Sequence, residues 1–101
     1  MADIYIVEYE ALARDSFNYH IAAGMEPAIA AQKISNPAVS TQSSAFNDKT
    51  SFVMITVTAA AHLNFGTNPT AATTGHYIAA GETRYYGVPK GKSYEVAAIN
   101  A

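Results

Sequence analysis

Residues Ser51–Gly75 read SFVMITVTAAAHLNFGTNPTAATTG, and the fold turns on how this stretch alternates. Val53, Ile55, Val57 and Ala59 point one way, while Met54, Thr56 and Thr58 point the other. Only a half-buried strand explains that period of two. After a short Ala run the alternation resumes, with Ala61, Leu63 and Phe65 inward and His62 and Asn64 outward. Gly66-Thr67-Asn68-Pro69 then breaks it, and an almost uncharged Thr/Ala/Gly loop follows. Two core strands, Phe52–Thr58 and Ala61–Phe65, are therefore expected to lead into a broad loop that acts as a display surface. Pro69 stiffens the start of that loop by fixing its own dihedral and holding Asn68 extended.

Working outward, Ile4–Leu12 (IYIVEYEAL) reads as a strand. Tyr5, Val7, Tyr9 and Ala11 form one apolar face, and Glu8 and Glu10 mark the other. Ile4 and Ile6 fall on the glutamate face, so that face is expected to be wet only towards its C-terminal end. Residues 1–13 either pair within their own sheet or extend as an arm to a neighbour. Arg14–Asn18 is turn chemistry, followed by Tyr19-His20-Ile21 and a stop at Gly24. Across Glu26–Ile34, Pro at the first helical position and then Ala, Gln and Lys suit a short helix. The run is shorter than the ~12–15 residues that hold a helix without tertiary help, so a strand ranks slightly ahead.

Asn36-Pro37 turns the chain, Phe46 is a large anchor for the core, and Asn47-Asp48 can form an Asx turn. Beyond the loop, His76–Gly81, Thr83–Val88 and Tyr94–Ile99 read as short strands punctuated by Gly and Pro. Short antiparallel strands at regular spacing, with no long helical period, predict an all-β fold. The expectation is one small β-sandwich or jelly-roll-like domain over residues 1–101.

Composition narrows the function. Charged residues make up 14% of the chain, against roughly 25% in an ordinary soluble domain. So little charge in so small a domain points to a surface partly covered by a partner. A net charge of -2 offers no basic footprint for phosphates, which argues against nucleic acid. No apolar run approaches the ~20 residues that span a membrane. Met-Ala-Asp-Ile does not begin like a signal peptide. With no cysteine there is no disulfide, thiol nucleophile or thiolate metal site. Synthesis in a cytoplasm, with incorporation into a particle assembled there, fits these features.

The motifs that suggest chemistry are weak. Gly87–Ser93 ends in Gly-Lys-Ser, but it is one residue short of a phosphate-binding loop and is followed by a strand rather than a helix. Lys90 and Lys92 read more simply as solvated hairpin residues. His20, His62 and His76 sit at no metal-ligand spacing, although His62 and His76 could approach if their strands pair. Glu8 and Glu10 on one strand face resemble a solvent-facing edge more than a catalytic pair. Ser43 and Ser44 lack a nucleophile elbow, and Asn68-Pro69-Thr70 fails as a glycosylation acceptor because of its proline. No enzyme activity, metal or cofactor is expected.

The seven tyrosines are the most suggestive feature, since tyrosine offers apolar area with a polar tip and suits interfaces and glycan platforms alike. At least half should be packed across strands. Tyr85 and Tyr86 are adjacent and face opposite ways, so one belongs to the core and the other does not. The candidate protein-interface residues are Asn68, Pro69 and Thr70 in the loop, together with Tyr77, Tyr85 and Tyr5.

A series of short pieces then appears in fixed order: Glu26-Pro27, Gln42–Asn47 leading to Thr50–Val53, Phe65–Ala71, Ala80–Thr83, Tyr86-Gly87-Val88 and a last strand ending Ala98-Ile99. From Ile4 to Ile99 this succession resembles small structural proteins encoded by tailed bacteriophages. The resemblance implies a β-sandwich that binds the outside of the phage head as a decoration, or cement, protein. It implies a homotrimer at local three-fold positions, with the major capsid protein as partner and the virion surface as location. No catalytic residue carries over. The alternatives are a tail, fibre or head–tail joining component and, from another class, a glycan-binding β-sandwich.

Overall fold

The computed structural model describes residues 2–101, apart from the side chains of residues 21 and 22. Met1, with which the N-terminal reading begins, lies outside the described residues. The chain is all-β and antiparallel throughout. One four-stranded sheet has the order β4 (Ala30–Ser35), β1 (Asp3–Tyr9), β6 (Phe52–Val57), β9 (Thr83–Gly87). The other has the order β5 (Thr41–Gln42), β10 (Glu95–Asn100), β7 (Ala61–Gly66), β8 (His76–Ile78). A separate ribbon pairs β2 (Leu12–Arg14) with β3 (His20–Gly24).

The two strands of the opening stretch behave as their alternation predicts. Val53, Ile55 and Val57 of β6 and Ala61 and Leu63 of β7 are fully buried. They do not pair with each other. The short link through Ala59 and Ala60 carries the chain from one sheet to the other, so β6 and β7 become interior strands of opposing layers. The core lies between them, completed by Ile4, Ile6, Ile34, Phe46, Ile78, Val88, Val96 and Ala98. Each fully buried Ile, Leu or Val there contributes ~1.5–3 kcal/mol through removal of apolar surface from water.

The region over Glu26–Ile34 resolves as the strand β4. Its register sets Ile34 opposite Ile4 and Gln32 opposite Ile6. Too short to hold helical hydrogen bonds alone, the segment gains a full ladder by pairing with β1. The N-terminal strand is no arm in this fold, because β1 is flanked by β4 on one side and β6 on the other.

The faces of β1 are the reverse of the expectation. Ile4, Ile6 and Glu8 point into the sandwich, and Tyr5, Val7 and Tyr9 point away from it. Ile4 and Ile6 are wholly apolar and lose nothing on burial, whereas Tyr5 keeps its hydroxyl in water. Glu8 can follow them inward because its carboxylate is fully partnered. Glu8 is only 2% exposed and accepts from the Asn47 amide at 2.8 Å, the Thr50 hydroxyl at 2.9 Å and the Gln32 side-chain amide at 3.3 Å. A buried carboxylate survives only with such partners. Glu8 and Glu10 are therefore not a wet edge: Glu8 closes one end of the core, and Glu10 lies past the strand's end in solvent. The Asx turn at Asn47 forms as predicted, its side-chain oxygen accepting from the Lys49 amide at 2.9 Å.

Gly87–Ser93 is not a hairpin, since β9 and β10 belong to different sheets. The turn from β8 to β9 is held by Glu82, which accepts from the Ala79 amide at 2.9 Å and from Arg84 at 3.0 Å. The amide, and then the guanidinium, hold its carboxyl below the usual carboxylate range.

Candidate functional site

Each sheet has an outer face, and the pairing registers place side chains on it row by row. On the first sheet, Val7 lies beside Met54 and Met54 beside Tyr85. The next row sets Tyr9 beside Phe52 and Phe52 beside Gly87. Tyr9 and Phe52 stack at 5.3 Å between ring centroids, and Phe52 meets Tyr85 at 6.0 Å. Such aromatic neighbours add to a sheet beyond their buried area. Further along, Tyr5 carries the Lys33 ammonium 5.2 Å above its ring, and Lys33 also pairs with Asp3 at 3.8 Å.

The β2–β3 hairpin folds across one end of this aromatic face. Gly24 lies so close over Tyr9 that a Cβ there would come within 2.4 Å of ring atoms. The Tyr9 hydroxyl donates to Glu26 at 2.8 Å. That hydrogen bond, with burial and the nearby carboxylate charge, pushes the Tyr9 phenol up to about 12. Beside this cover an open cavity of about 360 Å³ is lined by Leu12, Phe52, Tyr85, Tyr86 and Gly87. Gly87 is what leaves it open, because its position has no heavy atom within 4 Å of where a Cβ would stand.

The far end of the hairpin presents Phe17 and Tyr19, which are 80% and 71% exposed. They are fixed there by the turn. Asp15 accepts through one carboxylate oxygen from the Phe17 amide at 2.9 Å and the Tyr19 amide at 3.0 Å, while Arg14 donates to the Asn18 carbonyl at 3.0 Å. Asn18 takes the left-handed conformation, at φ 67°, that asparagine tolerates in tight turns.

The outer face of the second sheet is closed differently. Ala97 points away from the core yet is 0% exposed, with Gln42 opposite it on one side and Asn64 on the other. The loop after β7 bridges those two residues. Gln42 donates to the Asn68 side chain and the Pro69 carbonyl, both at 2.8 Å, and Asn64 donates to the Thr70 carbonyl at 3.2 Å. The Ala71 amide donates to Ser40 at 2.8 Å, and Pro69 and Ala71 are buried. The expected display loop is thus a lid bound to its own sheet.

The six interface candidates divide accordingly. Tyr5 and Tyr85 stand half-exposed on the outer face of the first sheet, as Tyr77 does on the second. Asn68 and Thr70 are exposed on the lid, and Pro69 is buried beneath it. Tyr85 is outside and Tyr86 packs against the core, as their alternation requires. Phe17, Tyr19 and Leu12 were not singled out from the sequence, although aromatic residues flanking an Asp–Asn turn carry the signal for the first two.

His62 and His76 do not converge. The register sets His62 opposite Tyr77 and His76 opposite Leu63, so they emerge on opposite faces of the β7–β8 pair. Among the described residues, no group of three or more His, Asp or Glu side chains could hold a metal ion. The residues brought together on the first sheet's outer face are thus apolar and aromatic. Compared with known protein families, curated proteins and solved structures, the chain finds no match in any of the three.

Proposed function

We propose that this chain is a bacteriophage structural protein, a head decoration (cement) protein. In this reading it binds the outer surface of the capsid as a homotrimer and reinforces contacts between major capsid proteins. It is made in the host cytoplasm and ends on the virion surface. The observation that carries the proposal is the exposed aromatic surface of the first sheet and its hairpin, Tyr5, Tyr85, Phe17 and Tyr19. A preorganised aromatic surface is suited to permanent protein contacts, where area is gained without ordering flexible segments. A shell under internal pressure from packaged DNA gains most from added area across its seams. The order of sequence pieces from Ile4 to Ile99 supports the same role.

A tail, fibre or head–tail joining role would use the same surface, and imaging of labelled particles separates these by location and copy number. The cavity lining of Leu12, Phe52, Tyr85, Tyr86 and Gly87 favours an apolar protein side chain over a sugar, which needs a set of convergent polar groups. The test uses virions that lack this protein. They should assemble normally and lose integrity sooner on heating or in chelator. Unchanged robustness would reject the cement role.

A further inference from the structure

Two large aromatic side chains are hidden on the outer face of the first sheet. Tyr9 and Phe52 point away from the sandwich core, yet they are only 4% and 9% exposed. Tyr85, which meets Phe52 on the same face, stays 49% exposed. The difference is the ribbon above them. Gly24 of β3 lies against the Tyr9 ring, and Leu12 of β2 shares the lining of one cavity with Phe52.

That cover is fastened at its base. The ribbon joins neither sheet. Among the described residues, the hydrogen bonds of the segment from Leu12 to Gly24 stay inside it. They are the β2–β3 ladder, the bonds between Asp15 and Tyr19, and those made by Arg14, Phe17 and Asn18 in the turn. The bonds to the sandwich lie just outside the segment. Ser51 donates to the Glu10 carbonyl at 2.6 Å where the ribbon begins, and the Tyr9 hydroxyl donates to Glu26 at 2.8 Å where it ends. On the Leu12 side the seat is unfilled, because the cavity of about 360 Å³ there is open. Groups that border a void lose the dispersion contacts that close packing supplies.

We propose that the β2–β3 ribbon is a strap that opens as a unit about its base, with the Tyr9–Glu26 hydrogen bond as its latch. Opening uncovers the stacked Tyr9–Phe52 pair and joins it to Tyr85 as one aromatic surface. The sandwich need not move. β1 and β6 pair with each other and keep β4 and β9 on their far sides, so the rows beneath the strap stay ordered when it lifts. The lifted ribbon has only itself for support, and two strands alone are marginal in water. Lifting and melting of its ladder therefore coincide. Segments with few tertiary anchors open at a free energy below that of global unfolding. The strap is a property of the free chain and does not rest on the cement reading.

The test is native-state hydrogen exchange of the full chain in rising, sub-denaturing urea, with nitration of Tyr9 measured in parallel. The Asp15 and Met25 amides, bonded within the ribbon and at its base, should exchange as one group. They should do so faster than the amides of β1 and β6 and with a shallower dependence on urea. Tyr9 nitration should follow the ribbon amides. Tyr9→Phe keeps the ring and removes the latch, and should speed the ribbon group roughly tenfold, as loss of a hydrogen bond to a carboxylate implies. Ribbon amides that exchange only together with β1 and β6 would overturn the strap, as would Asp15 and Met25 opening independently. Tyr9 nitration that tracks β1 and β6 would show that the ribbon melts without uncovering the face, and would also overturn it. An unchanged ribbon rate in Tyr9→Phe would overturn the latch.

Discussion

Each sheet of the sandwich has its outer face crossed by an irregular excursion of the chain, and the two excursions do opposite things. The loop after β7 lies flat over the second sheet, bound at Gln42, Asn64 and Ser40, and buries Ala97 beneath it. The β2–β3 hairpin touches the first sheet only near Tyr9 and Phe52, leaves Tyr5 and Tyr85 uncovered, and carries Phe17 and Tyr19 outward. One excursion uses its hydrogen bonds to seal a face. The other uses them within its own turn, at Asp15 and Arg14, and so holds aromatic groups in water. A turn whose backbone amides are satisfied internally while its apolar side chains face water is the form a contact surface takes.

The sharpest way to break the contrast is to lift the hairpin. Gly24→Ala places a methyl group against the Tyr9 ring, which is pinned between Phe52 and Glu26. Overpacking of this kind should cost about 1–3 kcal/mol in denaturant unfolding. Gly87→Ala on the same sheet, where nothing lies within 4 Å, should stay within about 0.5 kcal/mol of wild type. Equal effects at the two glycines would mean that the hairpin does not rest on Tyr9.

Alkaline pH tests the same contact without a substitution. Tyr9 is pushed up to about 12 from an ordinary value near 10, so folding favours its neutral phenol. The stability linked to it is fully present below the unfolded value, about 10, and is lost as pH climbs through the folded value of about 12. Tyrosinate absorbance should show Tyr9 as the last of the seven tyrosines to ionise, and Tyr9→Phe should abolish that late step. Ionisation of Tyr9 together with the exposed tyrosines would show the hairpin open.

A smaller effect belongs to the sealed face. Gln42→Ala removes two hydrogen bonds to the lid at about 1 kcal/mol, and the Ala71 amide, bonded to Ser40, should exchange faster with solvent. An unchanged rate at Ala71 would show that the lid is held without Gln42.

Much of this architecture was legible in the sequence. The period of two in Phe52–Val57 and Ala61–Phe65 located both interior strands, and the difference between Tyr85 and Tyr86 followed from adjacency alone. What escaped was parity in β1. That strand is apolar on both faces because the hairpin covers the outer one in part, so alternation cannot say which face is the core. Glu8 made the misreading worse, since its three partners lie 24, 39 and 42 residues away. The lid escaped for a similar reason. An uncharged Thr/Ala/Gly loop looks like open surface until Gln42 and Ser40, far back in the chain, are seen to bind it. The hairpin tip was recognised as a turn, but nothing local says whether Phe17 folds inward or out.

Oxidative footprinting of the tyrosine and phenylalanine side chains, free and in assembled particles, tests the contrast between the faces most directly. Phe17, Tyr19, Tyr85 and Tyr5 should lose reactivity on assembly, while Tyr77, on the lidded sheet, should react as it does in the free protein. Protection of Tyr77 with Phe17 and Tyr85 left reactive would place the contact on the sealed face and contradict the assignment.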